Sequence, residues 1–158
     1  MSIGMGLLHR LLKKRGEAVQ ERYVAPFRPL LREDEHVIQV AVARDPNGDP
    51  RELIHLGPTN QKRLLWYYKD EPSRMGEINL AWLEAAGMNS ESLLVALVEA
   101  PMHSSQLALG EQGYTKVLFE LLPSALSAQV MVAIVEQIGG PEKMQRLSRA
   151  FMERYGGD

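Results

Sequence analysis

Residues 124–140 are the most apolar run of the chain, and the run has a helix start and a helix stop at its ends. Pro123 cannot continue a preceding helix, Ser124 is a good N-cap, and the Gly139-Gly140 pair can take the left-handed conformation that ends a helix. Apolar residues fill nearly the whole helical circumference, which is typical of a helix buried on several sides. The run therefore predicts a central core helix, although residues 130–135 favour a strand in isolation.

Downstream of residue 72 the apolar residues recur at helical spacing, with Ser, Gly and Pro at the breaks. The spacing predicts helices over 73–86, 91–100, 114–122 and 141–155, the last with Pro141 in its first turn. Together with the central helix they predict a helical bundle over residues 73–158.

The signal for strands lies earlier in the chain. Residues 36–43 are rich in β-branched side chains, the sequence Asp45-Pro46-Asn47-Gly48 favours a tight turn, and residues 51–56 read as the return strand of a hairpin. Residues 62–69 are a third strand or a helix capped by Thr59-Asn60, and their aromatic content favours the strand. The predicted fold is α+β and predominantly α-helical, with a C-terminal bundle and a small antiparallel hairpin or three-stranded meander over residues 36–69.

Residues 1–24 are predicted to form a basic amphipathic N-terminal appendage on the same domain. Leucines fall on one helical face of residues 1–16 and basic residues cluster on the other. Such a helix can pack on its own domain, dock on another subunit, lie on an anionic membrane surface or approach phosphates. The residues of this helix that we predict to bind a partner are Leu7, Leu8, Arg10, Leu11, Lys13, Lys14 and Arg15.

A second candidate surface is residues 62–69, where aromatic and basic side chains occur together. Arg63, Trp66, Tyr67 and Tyr68 are side chains that dominate protein interfaces, and the aromatic rings could also stack on bases. The simplest alternative is core packing with amphipathic edges.

Composition and motifs exclude several classes of function. The chain has no cysteine, so disulfides and thiolate chemistry are excluded, and its net charge of −2 provides no global basic field for nucleic acid. The four histidines are dispersed, and no phosphate-binding loop, dinucleotide fingerprint or nucleophile elbow is present. We therefore assign no catalytic, cofactor-binding or metal-binding residue. No apolar run approaches the roughly 18 residues of a membrane span, so we expect cytoplasmic residence.

From these observations we expect a non-enzymatic protein-interaction or structural subunit of a larger assembly, including a phage-type virion or assembly protein. Its partners would be other protein subunits or further copies of the chain, bound through residues 3–15 and 62–69. The alternatives are a nucleic-acid-associated regulator that uses the basic N-terminal helix, and an enzyme whose site is assembled from residues distant in sequence.

Overall fold

The computed structural model describes residues 20–100 and 115–156. Seven strands of this part form one antiparallel sheet, and two helices follow it along the chain. The strands are β1 (Ala41–Arg44), β2 (Ile54–Pro58), β3 (Arg63–Tyr68), β4 (Glu71–Asn79), β5 (Leu83–Asn89), β6 (Leu94–Glu99) and β7 (Thr115–Leu121). The helices are α1 (Ala125–Ile138) and α2 (Pro141–Tyr155).

The spatial order of the strands is β4-β3-β2-β1-β7-β6-β5. The first four strands form one meander and the last three form another, so each strand lies beside its neighbour in sequence wherever a short connection allows it. The two meanders meet where β1 pairs with β7, through the register pairs Ala43–Leu121 and Arg44–Glu120. This junction is short because β1 has only four residues.

The two outermost strands, β4 and β5, are joined by the three-residue turn Leu80–Trp82. At its start the Leu80 N–H donates to the Lys62 carbonyl beside β3, at 2.7 Å, and at its end the Trp82 carbonyl accepts from the Ala100 N–H beyond β6, at 2.8 Å. The chain thus passes from one edge of the sheet to the other within three residues. This is possible only because the sheet is rolled until its edges approach each other.

The inside of the rolled sheet holds the main core. Trp66 of β3 and Phe119 of β7 meet there with ring centroids 5.1 Å apart, although three strand spacings of about 4.8 Å separate the two strands along the sheet. Alternate residues of the strands point inward, and Leu56, Leu97 and Leu121 are essentially inaccessible to solvent. The core is therefore closed by the curvature of one sheet.

Helix α1 confirms the helix predicted for residues 124–140. The Ser124 hydroxyl accepts a hydrogen bond from the Ser127 N–H at 3.1 Å, as an N-cap does. At the other end Gly139 has a φ of 132°, a backbone conformation that residues with a Cβ rarely adopt. The helix therefore begins and ends at the residues predicted from the sequence.

The position of α1 differs from the expectation. Its residues Val130, Ile134 and Ile138 are fully buried against β1, β2 and the turn after β4, so the helix covers one end of the rolled sheet. Its opposite face is open to solvent, and the Val132 side chain is 58% exposed. Helix α1 is thus buried on one face and is not surrounded by other helices.

Helix α2 packs on the outer face of β5. The ring of Phe151 lies over Gly87, where an added Cβ would be 3.0 Å from a ring carbon. Arg154 and Glu84 form an ion pair of 3.0 Å across the same contact. The helix begins at Pro141, as the sequence predicts.

The outer face of β2 and β3 is covered by the segment that leads into the sheet. Residues 20–24 are helical and continue as a 3-10 helix, Ala25–Leu30. Phe27 of this segment is fully buried in a second apolar cluster with Val40, Leu65 and Tyr67. Strands β2 and β3 are therefore covered on both faces.

The predicted fold class is wrong. The described residues form a sheet-rich α+β fold, and the predicted helices over 73–86 and 91–100 are strands β4, β5 and β6. The described part of the predicted helix 114–122 is strand β7. Residues 73–158 are consequently not a helical bundle, and nothing in the described residues favours the assembly or virion role that we expected.

Two smaller expectations have clear outcomes. The third strand over residues 62–69 is confirmed as β3. A hairpin is present as predicted, but its first strand is only Ala41–Arg44 instead of residues 36–43, and its return strand lies later, at Ile54–Pro58. Within residues 20–100 and 115–156, no helix combines the length and apolarity needed to cross a membrane.

Candidate functional site

The end of the rolled sheet opposite α1 contains an open cavity of about 450 Å³. It lies between the turn after β1 and the first part of β7, with β2 and β3 as its floor. We call it the aromatic cavity. Its lining residues are Asp45, Asn47, Ile54, Trp66, Tyr68, Lys116, Val117, Leu118 and Phe119.

Four consecutive residues of β7 line the aromatic cavity, which means that the cavity borders the edge of this strand as well as one of its faces. The Leu121 N–H donates to the Leu93 carbonyl on the β6 side, and the Leu122 N–H donates to the Val42 carbonyl on the β1 side. Because successive N–H groups of a strand point to opposite sides, those of Lys116 and Leu118 point to the β1 side. Each of these residues presents its N–H and its C=O to the cavity.

The pairing of β1 with β7 ends before it reaches these groups. The last register pair is Arg44–Glu120, and extending it by two residues would place Pro46 opposite Leu118. Proline has no N–H to donate. The chain also turns away at this point. In the described part of the chain no strand therefore pairs with β7 residues 116–119 on this side, which we call the open edge.

The turn that separates β1 from β7 is fixed by Asp45. Its carboxylate accepts a hydrogen bond from the Asn47 N–H at 2.9 Å, and its carbonyl accepts one from the Gly48 N–H at 3.0 Å. These bonds hold a tight turn and prevent the strand from continuing along β7.

The floor of the aromatic cavity is made by Trp66, Tyr68 and Phe119. The Trp66 indole lies flat across Gly76 of β4, where an added Cβ would come within 2.5 Å of an indole carbon. The Arg74 guanidinium lies over the Tyr68 ring, 3.7 Å from the ring centroid. Both half-buried rings are thus held by β4 with one face toward the cavity.

At the rim, charged side chains are held by neighbouring groups. The Lys116 ammonium lies 3.8 Å from the centroid of the Tyr155 ring of α2. Asp45 is the one carboxylate of the lining, and the described lining contains no histidine, serine or threonine. The lining thus offers backbone hydrogen-bonding groups and apolar surface, and it lacks a paired nucleophile and base.

The outer face of β3 carries a buried ion pair between Arg63 and Glu35. The Arg63 guanidinium donates to both carboxylate oxygens of Glu35, at 3.0 and 2.6 Å, and to the exposed Glu77 at 2.5 Å. Burial alone would raise the pKa of Glu35, but hydrogen bonds from Arg63, Thr59 and the Arg32 N–H outweigh it and lower the pKa to about 2. The pair fastens the chain before β1 to the start of β3.

A histidine stack lies on the same outer face. The His55 ring is sandwiched between the rings of Tyr23 and Tyr67, with centroid distances of 4.8 and 5.0 Å. Burial lowers the pKa of His55, and the nearby charge of Lys69 lowers it further. Its Nδ1 has no hydrogen-bond partner in the described structure, so this imidazole is packed as an apolar ring.

The structure separates the residues that the sequence grouped as one contact surface. Trp66 and Tyr68 face the aromatic cavity, whereas Arg63 and Tyr67 point to the outer face and are buried there. The other predicted contact residues, Leu7, Leu8, Arg10, Leu11, Lys13, Lys14 and Arg15, lie outside the described residues.

Two histidines and the charged run before β1 also have defined places. His36 is exposed and His55 lies in the stack, and no group of metal-ligating side chains occurs in the described ranges. Three consecutive acidic residues such as Glu33, Asp34 and Glu35 are typical of an exposed segment, but the side chain of Glu35 has 0% exposure. The β7 residues of the cavity were not among the predicted site residues, because their apolar spacing suits a helix as well as a strand.

Comparisons with known proteins supply no relative. No protein-family model, no curated protein and no solved structure matches this chain.

Proposed function

We propose that this chain is a non-enzymatic protein-interaction module that binds an extended segment of another protein along the open edge of β7. The observation that carries the proposal is the open edge itself, whose N–H and C=O groups pair with no strand in the described part of the chain and lie beside a cavity lined by aromatic rings. Addition of a strand to a sheet edge is a common way to bind peptides.

The chemistry of the open edge favours an extended backbone as its ligand. Lys116 and Leu118 present an alternating row of donors and acceptors, which another extended chain matches group by group. Leu118 and Val117 are only half-buried, so a ligand reaches this strand without unfolding it. The lack of a nucleophile and base in the described lining favours binding over catalysis.

One of the two outermost strands of the sheet, β4, differs from the open edge in ways that oppose pairing. It carries Pro72 and the charged residues Glu71, Arg74 and Glu77, which are all exposed. Prolines and charges on an edge strand discourage the addition of another chain. Of these two edges, β7 is therefore the one that suits a partner.

The nucleic-acid alternative receives no support from the described residues and stays a prediction. It relied on the basic N-terminal helix, which lies outside the described residues. It also relied on the patch over residues 62–69, in which Arg63 and Tyr67 are buried on the face opposite Trp66.

The proposal is tested by removing one backbone donor of the open edge. Leu118→Pro removes the N–H that faces the cavity and leaves the hydrogen bonds with β6, which are made by Val117 and Phe119. Leu118→Ala is the matched control, because it shortens the same side chain and keeps the N–H. The full chain is used to select binders from a display library of random nine-residue peptides.

We expect selected peptides to bind the unaltered chain and Leu118→Ala, and to bind Leu118→Pro at least about tenfold more weakly. Amide exchange measured by NMR should slow at Lys116 and Leu118 in the complex. Peptides that bind Leu118→Pro and Leu118→Ala equally, or a library that yields no binder, would refute the proposal. Protection of the same amides without peptide, together with a dimer in sedimentation, would show that the edge pairs with a second copy instead.

A further inference from the structure

We propose, building on the proposed function, that the bound segment runs antiparallel to β7 and inserts two apolar side chains, separated by one residue, into the aromatic cavity. The faces of β7 determine this pattern. Val117 and Phe119 point inward, where the Phe119 ring meets Trp66. Lys116 and Leu118 point outward, and the Lys116 ammonium reaches the rings of α2.

The hydrogen-bonding positions fix which residues of the ligand enter the cavity. The ligand residue opposite Leu118 exchanges backbone hydrogen bonds with it, and its side chain points outward as that of Leu118 does. The two ligand residues on either side lie opposite Phe119 and Val117, so their side chains point inward. The segment therefore places an apolar, an unrestricted and an apolar residue across the open edge.

The lining of the cavity explains why the two inward residues should be apolar. The half-buried residues Trp66, Tyr68 and Val117 supply its accessible apolar surface, with Ile54 and Phe119 buried in the same lining. A volume of about 450 Å³ accommodates two aliphatic or aromatic side chains. A polar side chain at either position would lose water without gaining a partner from these rings.

The direction follows from the sheet and from the charges at the two ends of the open edge. Every strand pair in the sheet is antiparallel, and the ligand occupies the place that a continued β1 would take. In that direction its N-terminal end lies near the carboxylate of Asp45 and its C-terminal end near the ammonium of Lys116. These charges complement the free termini of an antiparallel peptide, whereas for a segment inside a longer chain the antiparallel sheet alone gives the direction.

The test uses two fluorescein-labelled peptides of equal composition with the full chain. The first is Thr-Lys-Thr-Leu-Lys-Leu-Thr-Lys-Thr, and the second has the two leucines adjacent, Thr-Lys-Thr-Leu-Leu-Lys-Thr-Lys-Thr. A strand can direct both leucines into the cavity only in the first peptide. We expect the first to bind at least about tenfold more tightly by fluorescence anisotropy, since one buried leucine side chain is lost in the second.

Variants of the cavity show whether the preference arises there. Trp66→Ala should abolish the difference between the two peptides, and Tyr68→Ser provides a milder change of the same lining if the first variant does not fold. A nitroxide label on the peptide N-terminus should broaden the amide signals of Asn47 and Gly48, whereas a label on the C-terminus should broaden that of Lys116.

The outcomes separate this inference from the proposed function. Equal affinities of the two peptides with protection of the Lys116 and Leu118 amides would keep strand addition and overturn the alternating pattern. Broadening at Lys116 by the N-terminal label would overturn the direction. Absence of amide protection by either peptide at about 1 mM would overturn both the pattern and the strand addition.

Discussion

Replacing Glu35 with glutamine tests how much the buried ion pair with Arg63 stabilises the fold. The substitution keeps the size of the side chain and removes the charge that two guanidinium nitrogens contact. Arg63 has a side-chain exposure of 5%, so its charge remains buried, with Glu77 and the Leu30 carbonyl as its remaining partners. We expect a large loss because a buried charge that loses its partner is costly.

The magnitude follows from the pKa of Glu35. Burial would raise this pKa, but the hydrogen bonds, those from Arg63 foremost, lower it from 4.5 to about 2. At about 1.4 kcal/mol per pKa unit, this corresponds to about 3 kcal/mol of folding free energy. Because the pKa is lower in the folded state, the stabilisation is complete above pH 4.5 and is lost as the pH falls toward 2.

The assay is urea unfolding at pH 7 and at about pH 2.5, followed by tryptophan fluorescence. Glu35→Gln should lower the unfolding free energy by about 3 kcal/mol at pH 7 and by clearly less at about pH 2.5. Glu77→Gln is the matched control, since its carboxylate contacts the same guanidinium but is 54% exposed, and it should cost about 1 kcal/mol or less. Equal costs for the two variants at pH 7, or a cost of Glu35→Gln that does not change with pH, would refute the reasoning.

Three further substitutions test the packing. Burial, with a smaller effect of Lys69, lowers the pKa of His55 in the folded state. The unfolded chain therefore binds this proton at a higher pH, and stability should fall as the pH drops below the ordinary value of 6.5. His55→Phe should reduce the difference in melting temperature between pH 7.5 and 5.5, and an unchanged difference would contradict this. Gly76→Ala should cost about 1–3 kcal/mol in urea unfolding because its Cβ overlaps the Trp66 indole, and the cost should shrink in the Trp66→Phe background. Gly139→Ala should cost about 1 kcal/mol or more in thermal unfolding because of its positive φ, and no loss would argue against that conformation.

Local signals predicted those elements that depend on a few neighbouring residues. The cap at Ser124, the stop at Gly139 and the start at Pro141 are each determined within one turn of helix, and all three were located from the sequence. Strand β3 was also found, because aromatic residues are enriched where a strand packs on both faces.

Strand β6 shows why the helical interpretation failed. Its residues Val95–Glu99 are all buried, so both faces of this strand are covered. A strand buried on both sides has no polar alternation, and its Leu and Ala content also suits a helix. Strand β7 did contain a partial alternation, since Val117, Phe119 and Leu121 on one face are apolar, whereas the other face has the charged residues Lys116 and Glu120 on either side of Leu118.

The candidate site depends on contacts that no local pattern contains. Trp66 and Tyr68 could be recognised as contact residues, but their separation from Arg63 and Tyr67 follows only from the strand period of two. The burial of Glu35 likewise depends on Arg63, which is 28 residues away along the chain.

The open edge itself combines a local signal with a distant one. The turn at Asp45 and Pro46 is readable from the sequence, and taken alone it indicates no more than the end of a strand. Among residues 20–100 and 115–156 it leaves an edge without a neighbouring strand because β1 lies beside β7, through the pair Ala43–Leu121, whose residues are far apart in the chain. A continued β1 would have covered Leu118, so the early turn of a four-residue strand is what leaves these backbone groups of β7 for the proposed ligand.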